Sequence, residues 1–146
     1  MSSPAILSDI RKALARSCLA AFVRYTMPGY RMGWVHEEVC AELDAFLAAV
    51  MAGQSPRLML TMPPRHGKSE LASRRFPAYA LGRYPDLSVI STSYGADLSS
   101  RMNRDVQRII DSPEYREIFP GTALYGKNIR TVGNGSYLRN SDFSRS

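Results

Sequence analysis

The chemistry in this chain is concentrated in eight consecutive residues, Met62-Pro63-Pro64-Arg65-His66-Gly67-Lys68-Ser69. An apolar run, 58–62, precedes them, and a segment that reads as helix begins near Glu70. A strand, a tight loop ending Gly-Lys-Ser and a helix together form an arrangement that cradles polyphosphates. A helix N-terminus presents backbone N–H groups without intrahelical partners, together with the positive end of the macrodipole. Gly67 has no Cβ and lets the backbone approach a phosphate closely. Lys68 carries the charge that would reach the β- and γ-phosphates, and Ser69 the hydroxyl that would meet Mg²⁺. The expected ligands are therefore ATP and Mg²⁺, held by Pro64, Arg65, His66, Gly67, Lys68, Ser69 and Glu70, with Ser69 as the metal-binding residue.

The full phosphate-loop (Walker A) signature is G-x-x-x-x-G-K-S/T, and only its end is met. Met62 stands at the first glycine position, and Pro63 and Pro64 stiffen the loop instead of freeing it. A plain strand-to-helix turn bearing an exposed lysine is the alternative reading.

The elements that must position this loop follow from periodicity. Apolar residues at helical spacing over 6–25 (Ile6, Ile10, Ala13, Leu14, Cys18, Ala21, Phe22, Tyr25) predict one helix, ended by Pro28-Gly29. A second helix is predicted over about 34–52, with Val39, Leu43, Phe46, Leu47 and Val50 on one face and Gly53 closing it. A strand over 57–62, a helix over 67–81 ending at Gly82 and kinked or broken at Pro77, and a strand over 87–93 make a β-α-β unit. Such a unit favours parallel pairing. Another amphipathic helix covers Ala96 to Asp111, stopped by Ser112-Pro113, and a short helical turn follows at 114–119. Gly133-Asn134-Gly135 within 128–139 reads as a hairpin, and 140–146 carry no visible structure. The expected fold class is α/β, a P-loop NTPase-like three-layer αβα arrangement, incomplete, with two N-terminal helices. Residues 1–55 form the helical lead-in and 56–146 the partial ATPase domain.

The chain has 146 residues and a net charge of +6, from nineteen Lys and Arg against thirteen acids. That excess suits a polyanionic partner such as nucleic acid, and a solvated surface accounts for scattered arginines equally well. No apolar run is long enough to span a membrane, and charges at Asp9, Arg11, Lys12 and Arg16 break up any secretory leader. Cys18 and Cys40 lack metal-ligand spacing and read as reduced thiols.

Hydrolysis by a phosphate-binding loop needs a second strand ending in Asp, usually followed by an acid that positions water. Asp86 lies at the wrong end of its strand, Asp111 lies on a helical pattern, and Asp142 follows no apolar run. With few strands and no acidic strand end, the chain is expected to be the front part of a larger ATPase, truncated or excised, with negligible turnover by itself.

The run from Arg57 through Pro-Pro-Arg-His-Gly-Lys-Ser to Pro77-Ala78, with Val89-Ile-Ser-Thr-Ser-Tyr-Gly-Ala-Asp-Leu98, resembles the large terminase subunit of tailed phages and prophages. Ser112-Pro-Glu-Tyr-Arg-Glu-Ile-Phe-Pro120 and Trp34-x-His36 are similar to that family as well, so the resemblance covers about 30–138. It implies an ATP-driven motor that packages double-stranded DNA into procapsids in the cytoplasm of a bacterial host. Its implied partners are a small terminase subunit and a portal protein, and the full-length protein would form a ring of copies. The resemblance makes Arg65 a candidate for γ-phosphate sensing and a catalytic residue beside Lys68, and places the region of Trp34 and His36 near the adenine. It makes Ser93-Tyr94 a motif coupling the motor to DNA. Arg101 and Arg104, which recur with Arg108 at helical spacing, and the pair Arg74-Arg75 are further candidates for facing DNA. The family's acidic strand and nuclease carboxylates have no counterpart among these residues. A helicase-like motor fragment, or a prophage remnant that only binds DNA or a partner, remain the alternatives.

Overall fold

The helix predicted over 6–25 is two helices, α1 (Pro4–Ser17) and α2 (Leu19–Thr26), in the computed structural model. The structure describes residues 4–124 and the backbone of 130–132, 135–138 and 143–144. The break falls at Cys18, which is extended at φ −138° and ψ 122°. Its cause is tertiary: the Leu19 N–H at the start of α2 donates to the Asp44 carboxylate at 2.9 Å, a cap supplied from another helix. Among the described residues three helices therefore precede the loop and not two, the third being α3 (Trp34–Met51). It buries Val39, Cys40, Leu43 and Leu47. Gly53 closes it in the left-handed region at φ 78°.

After the loop the chain is helical from 68 to 83. Its first part, Glu70–Arg75, is a π-helical segment, and α4 (Phe76–Arg83) continues it. The wide turn closes with the Phe76 N–H on the Leu71 carbonyl, immediately before Pro77. Proline has no N–H, and in an α-helix its ring presses on the carbonyl four residues back; a widened turn ahead of it relieves that contact. The helix passes through Gly82 and does not end there. A Cβ at Gly82 would overlap the Phe119 ring, so the glycine permits close packing and is not a cap.

Strand β1 (Val89–Thr92) leads to α5 (Ala96–Ile110) and α6 (Pro113–Ile118). Ser112 caps α6 by accepting the Tyr115 N–H at 3.3 Å. The short strands are β2 (Ala123–Leu124), β3 (Arg130–Val132), β4 (Gly135–Leu138) and β5 (Phe143–Ser144). β3 and β4 form the predicted hairpin, and its turn residues 133–134 lie outside the described residues. β5 pairs with β2, which corrects the expectation of no structure near the C-terminus.

The parallel β-α-β expectation is also corrected. β1 pairs antiparallel with β4, in a sheet of order β1-β4-β3, and 57–62 joins no ladder. Between β1 and the hairpin the chain runs through α5, α6 and β2, and the hairpin turn then brings β4 back alongside β1 in the opposite direction. The pattern that predicts the strand is nonetheless kept. Leu60 and Met62 pack partly buried against the core, while Met59 is 89% exposed. The described residues thus combine helices with short strands, helices predominating.

One core joins the helices on both sides of the loop. Phe22 packs against Tyr79, Tyr115 and Phe119 at centroid distances of 5.5, 6.0 and 6.1 Å. The buried Tyr115 hydroxyl donates to the Ala78 carbonyl at 2.9 Å. Burial pushes the Cys40 thiol up to about 12, with Asp44 adding to the shift. Burial likewise raises Tyr79 and Tyr115, and burial with the Glu117 hydrogen bond raises Tyr25 to about 12. A pKa raised on folding stabilises fully below the unfolded value and is lost as pH rises through the folded one. Between pH 9.0 and 10.0, the ordinary values of Cys and Tyr, Cys40 carries the fall. Thermal unfolding over a pH series is expected to show stability declining above pH 9.0, with a flatter profile for Cys40→Ala in that first interval. Equal slopes would contradict the assignment. No helix among the described residues is long and apolar enough to cross a membrane.

Candidate phosphate-binding turn

The turn between Met62 and the helix has two residues in the left-handed region, Arg65 at φ 64° and Gly67 at φ 82°. An L-residue pays for that conformation, and such outliers gather at functional sites. At Gly67 the glycine is required twice over. Besides its φ, a Cβ there would overlap the Tyr30 hydroxyl and stand 3.3 Å from His36 Nε2.

The helix ladder begins with the Leu71 N–H donating to the Gly67 carbonyl at 3.0 Å. The N–H groups of Lys68, Ser69 and Glu70 precede that rung and have no partner one turn back. Lys68, Ser69, Arg65 and His66 are exposed. Neither Lys68 nor Arg65 forms an ion pair with a described residue. Ser69 makes no side-chain cap, so its hydroxyl is not spent on the helix start. Glu70, in contrast, is engaged: Arg75 reaches it at 2.8 Å and Arg74 at 3.4 Å. This pairing offsets a carboxylate that would otherwise repel an anion at the helix N-terminus.

Two histidines tie down the turn. His36 Nδ1 accepts the Gly33 N–H at 3.0 Å, the N3-to-N-cap half of a capping box. Its Nε2 lies 3.0 Å from the His66 carbonyl. His66 Nδ1 lies 2.8 Å from the Pro64 carbonyl. The Tyr30 ring packs edge-on to His36 at 5.5 Å and 79°. The Tyr30 hydroxyl is buried without a hydrogen-bond partner, and burial raises its pKa. No local signal in the sequence connects Tyr30 or His36 to the turn, because Tyr30 lies just before α3 and His36 in its first turn. Trp34, 80% exposed at the first position of α3, keeps its indole open.

The residues expected to face DNA divide. Arg74 and Arg75 are corrected to internal roles. Arg74 bonds Asp105 at 2.8 Å, and Arg75 donates to the Thr26 hydroxyl at 2.9 Å and carbonyl at 3.4 Å. Arg101 and Arg104 are exposed on α5, opposite its buried Val106, Ile109 and Ile110. Arg108 is exposed but pairs with Asp105 at 3.2 Å. Tyr94 is 91% exposed just beyond β1. It borders a shallow cavity of about 360 Å³ that Arg101 also lines. The Ser93 hydroxyl donates to the Gly95 carbonyl at 2.5 Å, turning the chain into α5. Tyr94 and Arg101 therefore share a surface that does not include the phosphate-loop residues.

A family model described as terminase large subunit, T4-like virus type, N-terminal matches residues 59–137, a stretch that includes the turn, β1 and α5. No curated protein and no solved structure matches the chain. The match spans more than half of the sequence, so the chain belongs to the family of T4-like large terminase subunits, in their N-terminal part, and thus to phage DNA-packaging machinery.

Proposed function

We propose that the turn 64–69 is the ATP-binding loop of a DNA-packaging motor. The observation that carries the reading is Gly67: its positive φ and the lack of room for a Cβ against Tyr30 and His36 make this a glycine-only turn directly ahead of the helix. Lys68 is exposed and pairs with no described acid, and the N–H groups of 68–70 at the helix start would complete an anion site. Gly67, Lys68 and the backbone amides of Arg65, His66 and Glu70 would hold the phosphates, with Pro64 shaping the loop beside them, and Ser69 would hold Mg²⁺. Bound ATP with Mg²⁺ supplies a phosphoryl group whose transfer releases the energy that moves DNA. Arg65 would add charge near the γ-phosphate. The alternating burial of 59–62 supports a strand slot of the P-loop NTPase kind, filled when that segment gains a neighbour. Tyr94, Arg101 and Arg104 are the residues assigned to DNA. A small terminase subunit, the portal of a procapsid and further copies of the motor in a ring are the assigned partners. β1 ends at Thr92 and is followed by Ser93, without a carboxylate at either, so turnover by this chain is expected to be negligible.

A titration of the protein with a non-hydrolysable ATP analogue, read by Trp34 emission with and without Mg²⁺, tests the reading. Saturable binding that strengthens with Mg²⁺ and weakens for the diphosphate is expected. An absence of saturation by the triphosphate would overturn it.

A further inference from the structure

We propose that His36 and His66 are positioning residues that aim the turn's amides outward before any ligand arrives; as a statement about ligand binding, this rests on the function proposed above. A trans peptide is planar, with its C=O and N–H pointing in opposite directions. Fixing a carbonyl therefore fixes the direction of the N–H across the same bond. His66 holds the Pro64 carbonyl at 2.8 Å, which directs the Arg65 N–H the other way. His36 holds the His66 carbonyl at 3.0 Å, which does the same for the Gly67 N–H. The Leu71 N–H holds the Gly67 carbonyl at 3.0 Å, which turns out the Lys68 N–H. Three carbonyl anchors, at Pro64, His66 and Gly67, thus leave three amides facing away from the groups that hold them. The left-handed conformations of Arg65 and Gly67 are the kind that gathers neighbouring N–H groups into an anion-binding concavity. A turn preset in this way has less ordering to do when a phosphate binds.

The bonds also assign the ring protons. A carbonyl only accepts, so the nitrogen facing it must donate. His36 Nδ1 takes the Gly33 N–H, which leaves His36 neutral with its proton on Nε2. His66 must carry a proton on Nδ1, facing Pro64. The edge-on Tyr30 ring braces the first imidazole. His36 links the cap of α3 to the loop, so one side chain serves both.

Nitrogen-15 NMR of the ligand-free protein, combined with affinity measurements for tripolyphosphate and the ATP analogue, tests this. The expected spectra show His36 protonated at Nε2 only, His66 protonated at Nδ1, and one sharp Gly67 amide that broadens or moves in His36→Ala. Nδ1 protonation of His36, or an unchanged Gly67 amide in that variant, would overturn the anchoring. In binding, His36→Ala is expected to lose about tenfold in affinity, the scale of one lost hydrogen bond. His36→Gln, whose amide both accepts and donates, should stay near wild type. Wild-type affinity in His36→Ala, alongside lost binding in Lys68→Ala, would remove the positioning role and leave the function intact. Failure of the wild type to bind any triphosphate would defeat the function, and the ring protons and the Gly67 amide would still decide whether the histidines fix the turn.

Discussion

Lys68→Ala is expected to lose triphosphate binding by about 10- to 150-fold, the equivalent of a charge-assisted hydrogen bond of about 1.5–3 kcal/mol. The same substitution should leave the fold alone. Lys68 is exposed and pairs with no described acid, and surface changes of that kind stay within about 0.5 kcal/mol. Calorimetric titration and thermal unfolding of the same samples give both quantities. Equal affinity in the variant would take the ammonium out of the account. A large drop in melting temperature would mean that the lysine serves the fold.

Gly67→Ala carries the second large effect, and it has two separable causes. Placing an L-residue in the left-handed region at φ 82° costs about 1–2 kcal/mol. The new methyl would also overlap the buried Tyr30 hydroxyl, forcing Tyr30, His36 or the turn to move. Urea unfolding of the wild type, both single variants and the Gly67→Ala/Tyr30→Phe double variant separates the two. Tyr30→Phe alone should be neutral or slightly stabilising, because it removes a buried hydroxyl without a partner. In the double variant the steric part should be recovered and the backbone part should remain, with a coupling of about 0.5 kcal/mol or more. Strict additivity would show that the hydroxyl is not what the methyl meets. Triphosphate affinity should fall in both variants that carry the alanine.

The elements that local chemistry decides were legible in the sequence. The spacing of Val39, Leu43 and Leu47 gives the buried face of α3, and Ser112-Pro113 separates α5 from α6. The Gly-Asn-Gly stretch marks the β3–β4 hairpin. Where a distant partner decides, the sequence is silent. Cys18 breaks a continuous helical pattern because Asp44, from α3, captures the Leu19 N–H. Residues 59–62 keep a strand's alternation yet form no ladder, because nothing local says whether a neighbour will be there. Gly82 looks like a helix stop and is instead a seat for Phe119.

The candidate site divides in the same way. The turn's own residues are contiguous, so Gly67, Lys68 and Ser69 can be picked out from their types and spacing. Their setting cannot. Arg74 and Arg75 look like outward basic residues, and Glu70, Asp105 and Thr26 draw them inward. Tyr30 and His36 reach the turn only because α3 packs beside it, and their contact with Gly67 explains why a glycine is needed there beyond its freedom of φ. The Gly-Lys-Ser loop supplies the expectation of a nucleotide, and the family likeness adds to it. The geometry adds the anchors that would make the loop ready for one.

The central claim is that the backbone amides of 65–69 and the Lys68 ammonium together hold a polyphosphate. A crystal structure of the protein with Mg²⁺ and a non-hydrolysable ATP analogue tests it most directly. The expected density places the β- and γ-phosphates against the amides of 67–69, with Lys68 Nζ in hydrogen-bond reach and the Ser69 hydroxyl beside the metal. An analogue bound elsewhere with this turn empty, or Lys68 folded back into an internal ion pair, would contradict it.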